Sequence, residues 1–241
     1  MRTAYFDCFS GASGDMILGA LLDVGLELDC LKADLDKLGL DHCRLSLKAV
    51  TRRGIGGSQA IVEIDQEHQD QHHRRLSDIL DILSRSGLSE SVKKKAAAVF
   101  VRLAEAEARV HHSLVESVHF HEVGAMDAII DVVGAVAGLE RLGIETVHCS
   151  PIKVGFGMTR CAHGLLPVPA PATAELVKGF PVYGGEAAGE LLTPTGAAIL
   201  TTLADRFGPM GQMTVRKIGY GAGAADTTVP NLLRLIVGDG L

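Results

Sequence analysis

Strand-like and helix-like runs interleave along the whole chain, and that order limits the architectures open to it. Thr3–Phe9 reads as a short buried strand; a loop of small residues, SGASGD at 10–15, follows, and Met16–Val24 is a helix that Gly25 closes. A second helix, Asp29–Leu38, ends at Gly39. Cys43–Thr51 and Gln59–Asp65 alternate polar and apolar residues on either side of RRGIGG at 52–57, a hairpin signal with a glycine-rich turn. The polar segment 66–75, QEHQDQHHRR, is the one candidate for a mobile loop. Apolar residues recur at helical spacing over Ser89–Val110. Ala125–Leu142 is another helix, stopped by Gly143, and Thr146–Cys149 a short strand. Pro171 and Pro194 open helices over Ala172–Val177 and Gly196–Phe207, at first-turn positions that proline favours. Val215–Gly219 and Leu232–Val237 close the chain as strands. With no repeat and no clear linker, the expectation is one globular domain over 1–241, α/β or α+β, with a mixed β-sheet flanked by helices.

Composition narrows the class further. Apolar residues make up 47% of the 241, enough for a sizeable core, and aromatics only 4% with no Trp, so that core is aliphatic. The net charge of −6 argues against a nucleic-acid partner, which wants a basic face. Cys8, Cys30, Cys43, Cys149 and Cys161 form no CxxC pair and are odd in number, which argues against a disulfide framework. MRTAYFDCF is too short and polar for a signal peptide. Ala125–Leu142 carries Asp127, Asp131, Glu140 and Arg141, so it is no membrane span. A reducing, cytoplasmic setting is expected.

The stretch richest in chemistry is HFHEVGAMDAIID, 119–131. On extended backbone His119 and His121 point the same way, and on a helix Asp127 and Asp131 share a face. Gly124 marks the corner between the two. Asp127 alone would suit a helix N-terminus, where negative charge gains roughly 0.3–1 kcal/mol. Asp131, set among Ile129, Ile130, Val132 and Val133, is a carboxylate that needs a partner if buried. The pattern suits a metal or cofactor site. FDCFSGASGDM has the strand, small-residue loop and helix of an anion nest, yet lacks the lysine of a Walker loop, and its acids Asp7 and Asp15 suit a metal. A plain turn capped by Ser10 or Ser13 is the alternative. His68, His72 and His73 form a tract of the kind that collects nickel, copper or zinc. His111 and His112 fall at a helix end and read as caps; His163 and Cys8 stay open.

In order from residue 6 to residue 235, the stretches FDCFSGASGDM, RRGIGG, HHRRLSDI, AEAEARVHHSLVESVHFHEVGAMDAIIDVVGA, HGLLPVPAPATAELV, ELLTPTGAAIL and GYGAG followed by PNLLRL resemble one family. It is that of the nickel-insertion proteins of nickel-pincer cofactor biosynthesis (LarC). The resemblance implies a nickel chelatase of the lyase class. It would place Ni2+ into pyridinium-3,5-bisthiocarboxylic acid mononucleotide, giving the cofactor of lactate racemase-type enzymes, with nickel held by two sulfurs and a ring carbon. It also implies CTP, with a divalent metal, bound by a C-terminal part that this sequence, stopping at Leu241, does not contain. A separate chain of the same family is then a partner to expect, and a homo-oligomer is open. Within that frame Ser10, Gly11, Ser13, Gly14 and Asp15 would take the phosphate. His119, His121, Asp127 and Asp7 would hold nickel, with His68, His72 and His73 collecting it, and Glu122, His121 or His119 would remove the ring proton. A nickel chaperone without catalysis and a metal-dependent phosphohydrolase are the competing functions.

Overall fold

The computed structural model describes residues 1–40, 43–64, 74–118, 120, 126–161, 164–185, 187–225 and 227–240. In chain order the elements are β1 (Arg2–Asp7), α1 (Gly14–Asp23), α2 (Leu28–Leu35), β2 (Cys43–Arg52), β3 (Ile55–Ile64), α3 (Leu76–Arg85), α4 (Glu90–Val110) and α5 (Met126–Arg141). There follow β4 (Thr146–Cys149), β5 (Ile152–Lys153), β6 (Gly155–Phe156), β7 (Met158–Cys161), β8 (Gly164–Pro167), α6 (Pro171–Leu176), β9 (Val182–Tyr183), β10 (Gly189–Glu190), α7 (Pro194–Leu203), β11 (Arg206–Phe207), β12 (Met213–Ala222) and β13 (Leu232–Gly240).

Seven strands form one mixed sheet in the order β11-β4-β1-β13-β12-β3-β2. β1 runs parallel to β4 and antiparallel to β13. Arg2 lies opposite Asp239, and the Gly240 N–H donates to the Met1 carbonyl at 2.9 Å, so the first and last strands meet at one end of the sheet. The other end of β1 feeds the 8–13 loop. Short two-stranded ribbons, β5 with β9, β6 with β10 and β7 with β8, build out the segment between β4 and α7.

The core is aliphatic, as the composition requires, and forms one cluster. Ala4, Phe6 and Leu235 of the sheet meet Ile17, Leu18 and Leu21 of α1, Val99 and Leu103 of α4, and Ile129, Val132 and Val133 of α5. Each of these eleven residues is at most 1% exposed. Helix α1 sits unusually close to the strands beneath it because β12 offers no side chain there. A Cβ at Gly221 would stand 2.5 Å from the Ala20 nitrogen and 2.7 Å from the Met16 carbonyl carbon, and one at Gly219 would stand 2.7 Å from the Val24 nitrogen. Tyr220 and Ile218, between and beside these glycines, point to the opposite face.

Most expected elements form, with three differences. The 52–57 turn is tighter than its glycine content suggests: only Arg53 and Gly54 turn, at φ 48 and 85, and Ile55 to Gly57 belong to β3. Positive φ at both central residues matches the twist of the strands that the turn joins. The helix expected to reach Phe207 stops at Leu203. Asp205 then bonds to Val147 of β4 through both backbone and side chain, at 2.7 and 2.9 Å, and draws Arg206–Phe207 onto the sheet edge. Helix α3 was not anticipated. Its signals are Ile79 and Leu83 on one buried face and Asp78, whose carboxylate accepts the Arg75 N–H at 2.8 Å.

All five cysteines are free thiols, and among the described residues no helix is long and apolar enough to cross a membrane. The 66–75 tract falls almost wholly outside the described residues.

Because the atoms facing Gly221 are backbone, they cannot swing aside. Gly221→Ala is expected to cost about 1–3 kcal/mol of unfolding free energy, as overpacked sites do, read from urea denaturation.

Candidate metal and substrate site

Three helices bring their first turns to one place. The loop after β1 folds back through a Gly11 N–H bond to the Cys8 carbonyl at 3.1 Å. It then runs beside the approach to α7: Ala12 N–H donates to Leu191 O at 2.9 Å, and Thr193 N–H to Ala12 O at 3.1 Å. Gly11 is required there, because a side chain would lie 2.7 Å from Leu191 Cβ and its φ is 84. Thr193 caps α7 by accepting the Gly196 N–H at 3.2 Å, with Pro194 in the first turn. Helix α5 crosses α1 at Gly14, where a Cβ would stand 2.6 Å from both Cβ and Cγ of Asp131. The missing side chain at Gly14 is what lets Asp131 lie against the start of α1.

The result is a cavity of about 350 Å³ bounded by Ser13, Gly14 and Asp15 of the loop and α1, Asp127 and Asp131 of α5, and Thr193 and Thr195 around the start of α7. Gln59 to Val62 of β3 and Ala224 complete the wall. The glycine loop and the acidic stretch at 127–131, far apart in sequence, therefore do share one cavity.

Its lining carries three carboxylates, Asp15, Asp127 and Asp131. The Asp15 carboxylate accepts the Ser13 hydroxyl and the backbone N–H groups of Asp15 and Met16. Burial nevertheless pushes its pKa up, with a smaller push from Asp127. Asp127 accepts the Ala128 N–H at 2.8 Å. Its side chain stays exposed, yet loss of water is still the main influence and raises its pKa. Asp131 is the extreme case. Its Oδ1 is buried and has no hydrogen-bond partner among the described residues. Burial first, then the negative charges of Asp15 and Asp127, hold its pKa well above the ordinary carboxylate value. A buried polar atom left unpaired costs stability, and fixed structure of this kind marks functional sites.

The expected site residues divide as follows. Ser13, Gly14, Asp15 and Asp127 line the cavity. Gly11 shapes the loop, and Ser10 is buried with an unpartnered hydroxyl behind it. At the expected anion nest the Asp15 carboxylate accepts the N–H groups of Asp15 and Met16, and Asp131 lies against Gly14. Asp7, expected beside Asp15, requires a correction. It follows Phe6, which faces the helices, so alternation turns Asp7 to the other face, where it pairs with Arg234. His119, His121, Glu122, His68, His72, His73 and His163 lie outside the described residues. His111 ends α4, 3.4 Å from Glu107. Among the described residues no group of three or more His, Cys, Asp or Glu side chains is arranged to hold a metal by itself. Gln59, Thr193 and Thr195 were not anticipated; ELLTPTG was read for its proline and for the family resemblance, not for its threonines.

The sequence profile of the nickel insertion protein family matches residues 4–240. The chain belongs to this family. A relative from Desulfitobacterium hafniense (strain DSM 10664 / DCB-2), named pyridinium-3,5-bisthiocarboxylic acid mononucleotide nickel insertion protein, is 54% identical over 239 residues. These are 99% of this chain and 59% of the relative. Putative nickel insertion proteins of Syntrophobacter fumaroxidans and Dictyoglomus thermophilum are 50% and 46% identical, again over 99% of the chain and 61% of their own length. The chain thus spans about three-fifths of these family members. No solved structure matches.

A carboxyl whose folded pKa is raised contributes stability below its unfolded pKa and loses it as pH rises through the folded value. For Asp15, Asp127 and Asp131, all shifted upward, that loss begins near about pH 4. Asp131→Asn in metal-free protein is therefore expected to gain roughly 1–3 kcal/mol at pH 7, the usual scale for relieving an uncompensated buried group. The gain should vanish at acid pH. Urea unfolding of both proteins across this range is the check.

Proposed function

We propose that this chain takes Ni2+ into the acidic cavity and inserts it into a pyridinium mononucleotide, the substrate in the name of the D. hafniense relative. The observation that carries the reading is Asp131: a buried carboxylate oxygen without a partner among the described residues, backed by Asp15 and Asp127, needs a proton or a cation to offset its charge, and one divalent ion serves all three carboxylates at once. His119 and His121, in the segment leading into α5, would complete the shell. Oxygen and imidazole ligands suit a metal that must be passed on, because thiolates would retain it.

Thiocarboxylates at ring positions 3 and 5 flank the carbon between them. As the two sulfurs displace carboxylate oxygens on nickel, that carbon comes within bonding distance. A nickel–carbon bond then forms as the carbon–hydrogen bond breaks, leaving its electron pair to the new bond. The proton goes to a base, for which Glu122 and His121 are the candidates. Nickel stays divalent, so no oxidant is needed. His68, His72 and His73 serve as a loose collecting tract. A requirement for CTP and its divalent metal belongs to the part of the longer family members that lies outside the matched region. Residues 1–241 act as the nickel-inserting domain, and the five free thiols support a cytoplasmic setting.

Calorimetric titration and equilibrium dialysis with Ni2+ test the cavity. One bound ion per chain is expected, with at least about tenfold weaker binding (roughly 1.4 kcal/mol) in Asp15→Asn and Asp131→Asn. Since burial favours the protonated form of all three carboxyls, the protons released on nickel binding should increase as the pH is lowered. Nickel affinity indifferent to both substitutions would remove the cavity from the reaction. Absorbance of the product cofactor, with precursor, CTP and the full-length D. hafniense relative as reference, tests insertion itself.

A further inference from the structure

A mononucleotide carries a phosphate, and three carboxylates repel it. The β2–β3 side of the cavity holds the opposite charge. Arg52, the last residue of β2, donates from Nε and Nη2 to the Gly223 carbonyl at 3.2 and 2.8 Å, and from Nη2 to Gln59 Oε1 at 3.3 Å. Gln59 lines the cavity, and so does Ala224, the residue after Gly223. The guanidinium is therefore held one side chain behind the cavity wall. The loop that anchors it is itself fixed. Gly223 N–H donates to Asn231 O at 3.1 Å, and the buried Asn231 amide donates to Ala225 O at 2.9 Å. Next door, Arg53 bonds to Thr227 O at 3.0 Å.

Two features separate Arg52 from an ordinary structural arginine. It is half-buried without a carboxylate: among the described residues it makes no ion pair, so its charge is not neutralised. Its remaining amino group, Nη1, has no hydrogen-bond partner there either. A preformed, oriented guanidinium with an unspent donor edge is the preferred partner of a phosphate.

We infer that Arg52 binds the phosphate of the substrate, on the opposite side of the cavity from the metal. This rests on the nickel-insertion reading above. The chelating sulfurs must face the carboxylates of Asp15, Asp127 and Asp131. The phosphate, at the far end of the ribose from the ring, then emerges along the β3 wall toward Gln59 and Arg52. One cavity so separates the two charges of its load, the cation against α5 and the anion against the hairpin.

The test compares the precursor mononucleotide with its dephosphorylated nucleoside, by calorimetry, on the wild-type chain, Arg52→Gln and Arg52→Lys. Wild-type protein should prefer the mononucleotide. Arg52→Gln should lose at least tenfold in affinity for the mononucleotide and keep its affinity for the nucleoside. Arg52→Lys, which restores the charge but not the fork on Gly223, should recover much of the preference. Equal losses for both ligands in both variants would reduce Arg52 to a brace of the 223–231 loop and overturn the inference. So would a phosphate preference that survives in Arg52→Gln. If wild-type protein binds nickel but neither ligand, the substrate of the preceding section is what fails, and the anion subsite falls with it.

Discussion

Everything that the cavity does depends on how near α1 lies to its neighbours. Glycines stand where its contacts are closest: Gly219 and Gly221 of β12 beneath it, and Gly14 in its own first turn against α5. At Gly219 and Gly221 the close approach is to backbone, which has no rotamer to yield, and at Gly14 it is to the buried Asp131 side chain. It sets the depth at which Asp15 meets Asp131, and hence how little water reaches either. The acidity of the site is in this sense a packing property. The same three aspartates on a helix pair held a few ångströms further apart would be solvated surface acids.

The arrangement stores an unfavourable interaction. Two of the carboxylates have hydrogen bonds that offset part of the cost, and the third does not. Stable folds tolerate such groups when the surrounding core over-determines their position. Here Ile129, Val132 and Val133 lock one side of α5 into the core, with Asp131 between them, so the carboxylate cannot leave without the helix. A cation entering the cavity meets a field already assembled.

Much of this was legible in the sequence, and the failures have identifiable causes. The strand, loop and helix at 3–24 were readable from their own periods, and Asp127 with Asp131 from helical spacing. Their meeting with Asp15 could be guessed only because a carboxylate among aliphatic residues demands a reason. Asp7 was grouped with Asp15 by nearness along the chain. The period of two should have separated them, since Phe6 already claims the helix side. Arg52 was seen only within a turn signal and a stretch of family resemblance, with no role of its own, because what it reaches, the Gly223 carbonyl, is distant in sequence and invisible to any local pattern. The end of α7 was misplaced for a similar reason. Backbone groups of β4 capture Asp205, and no residue within α7 announces it.

The pairing of Met1 with Gly240 has a geometric consequence. Met1 and Gly240 lie at one end of the sheet, whereas the loop opening on the cavity leaves the other end of β1. Six residues of strand, about 20 Å at the usual rise, separate the two. A fusion partner, affinity tag or surface tether joined at either terminus therefore begins remote from the mouth. A tether placed at Met1 or Gly240 leaves the cavity mouth uncovered.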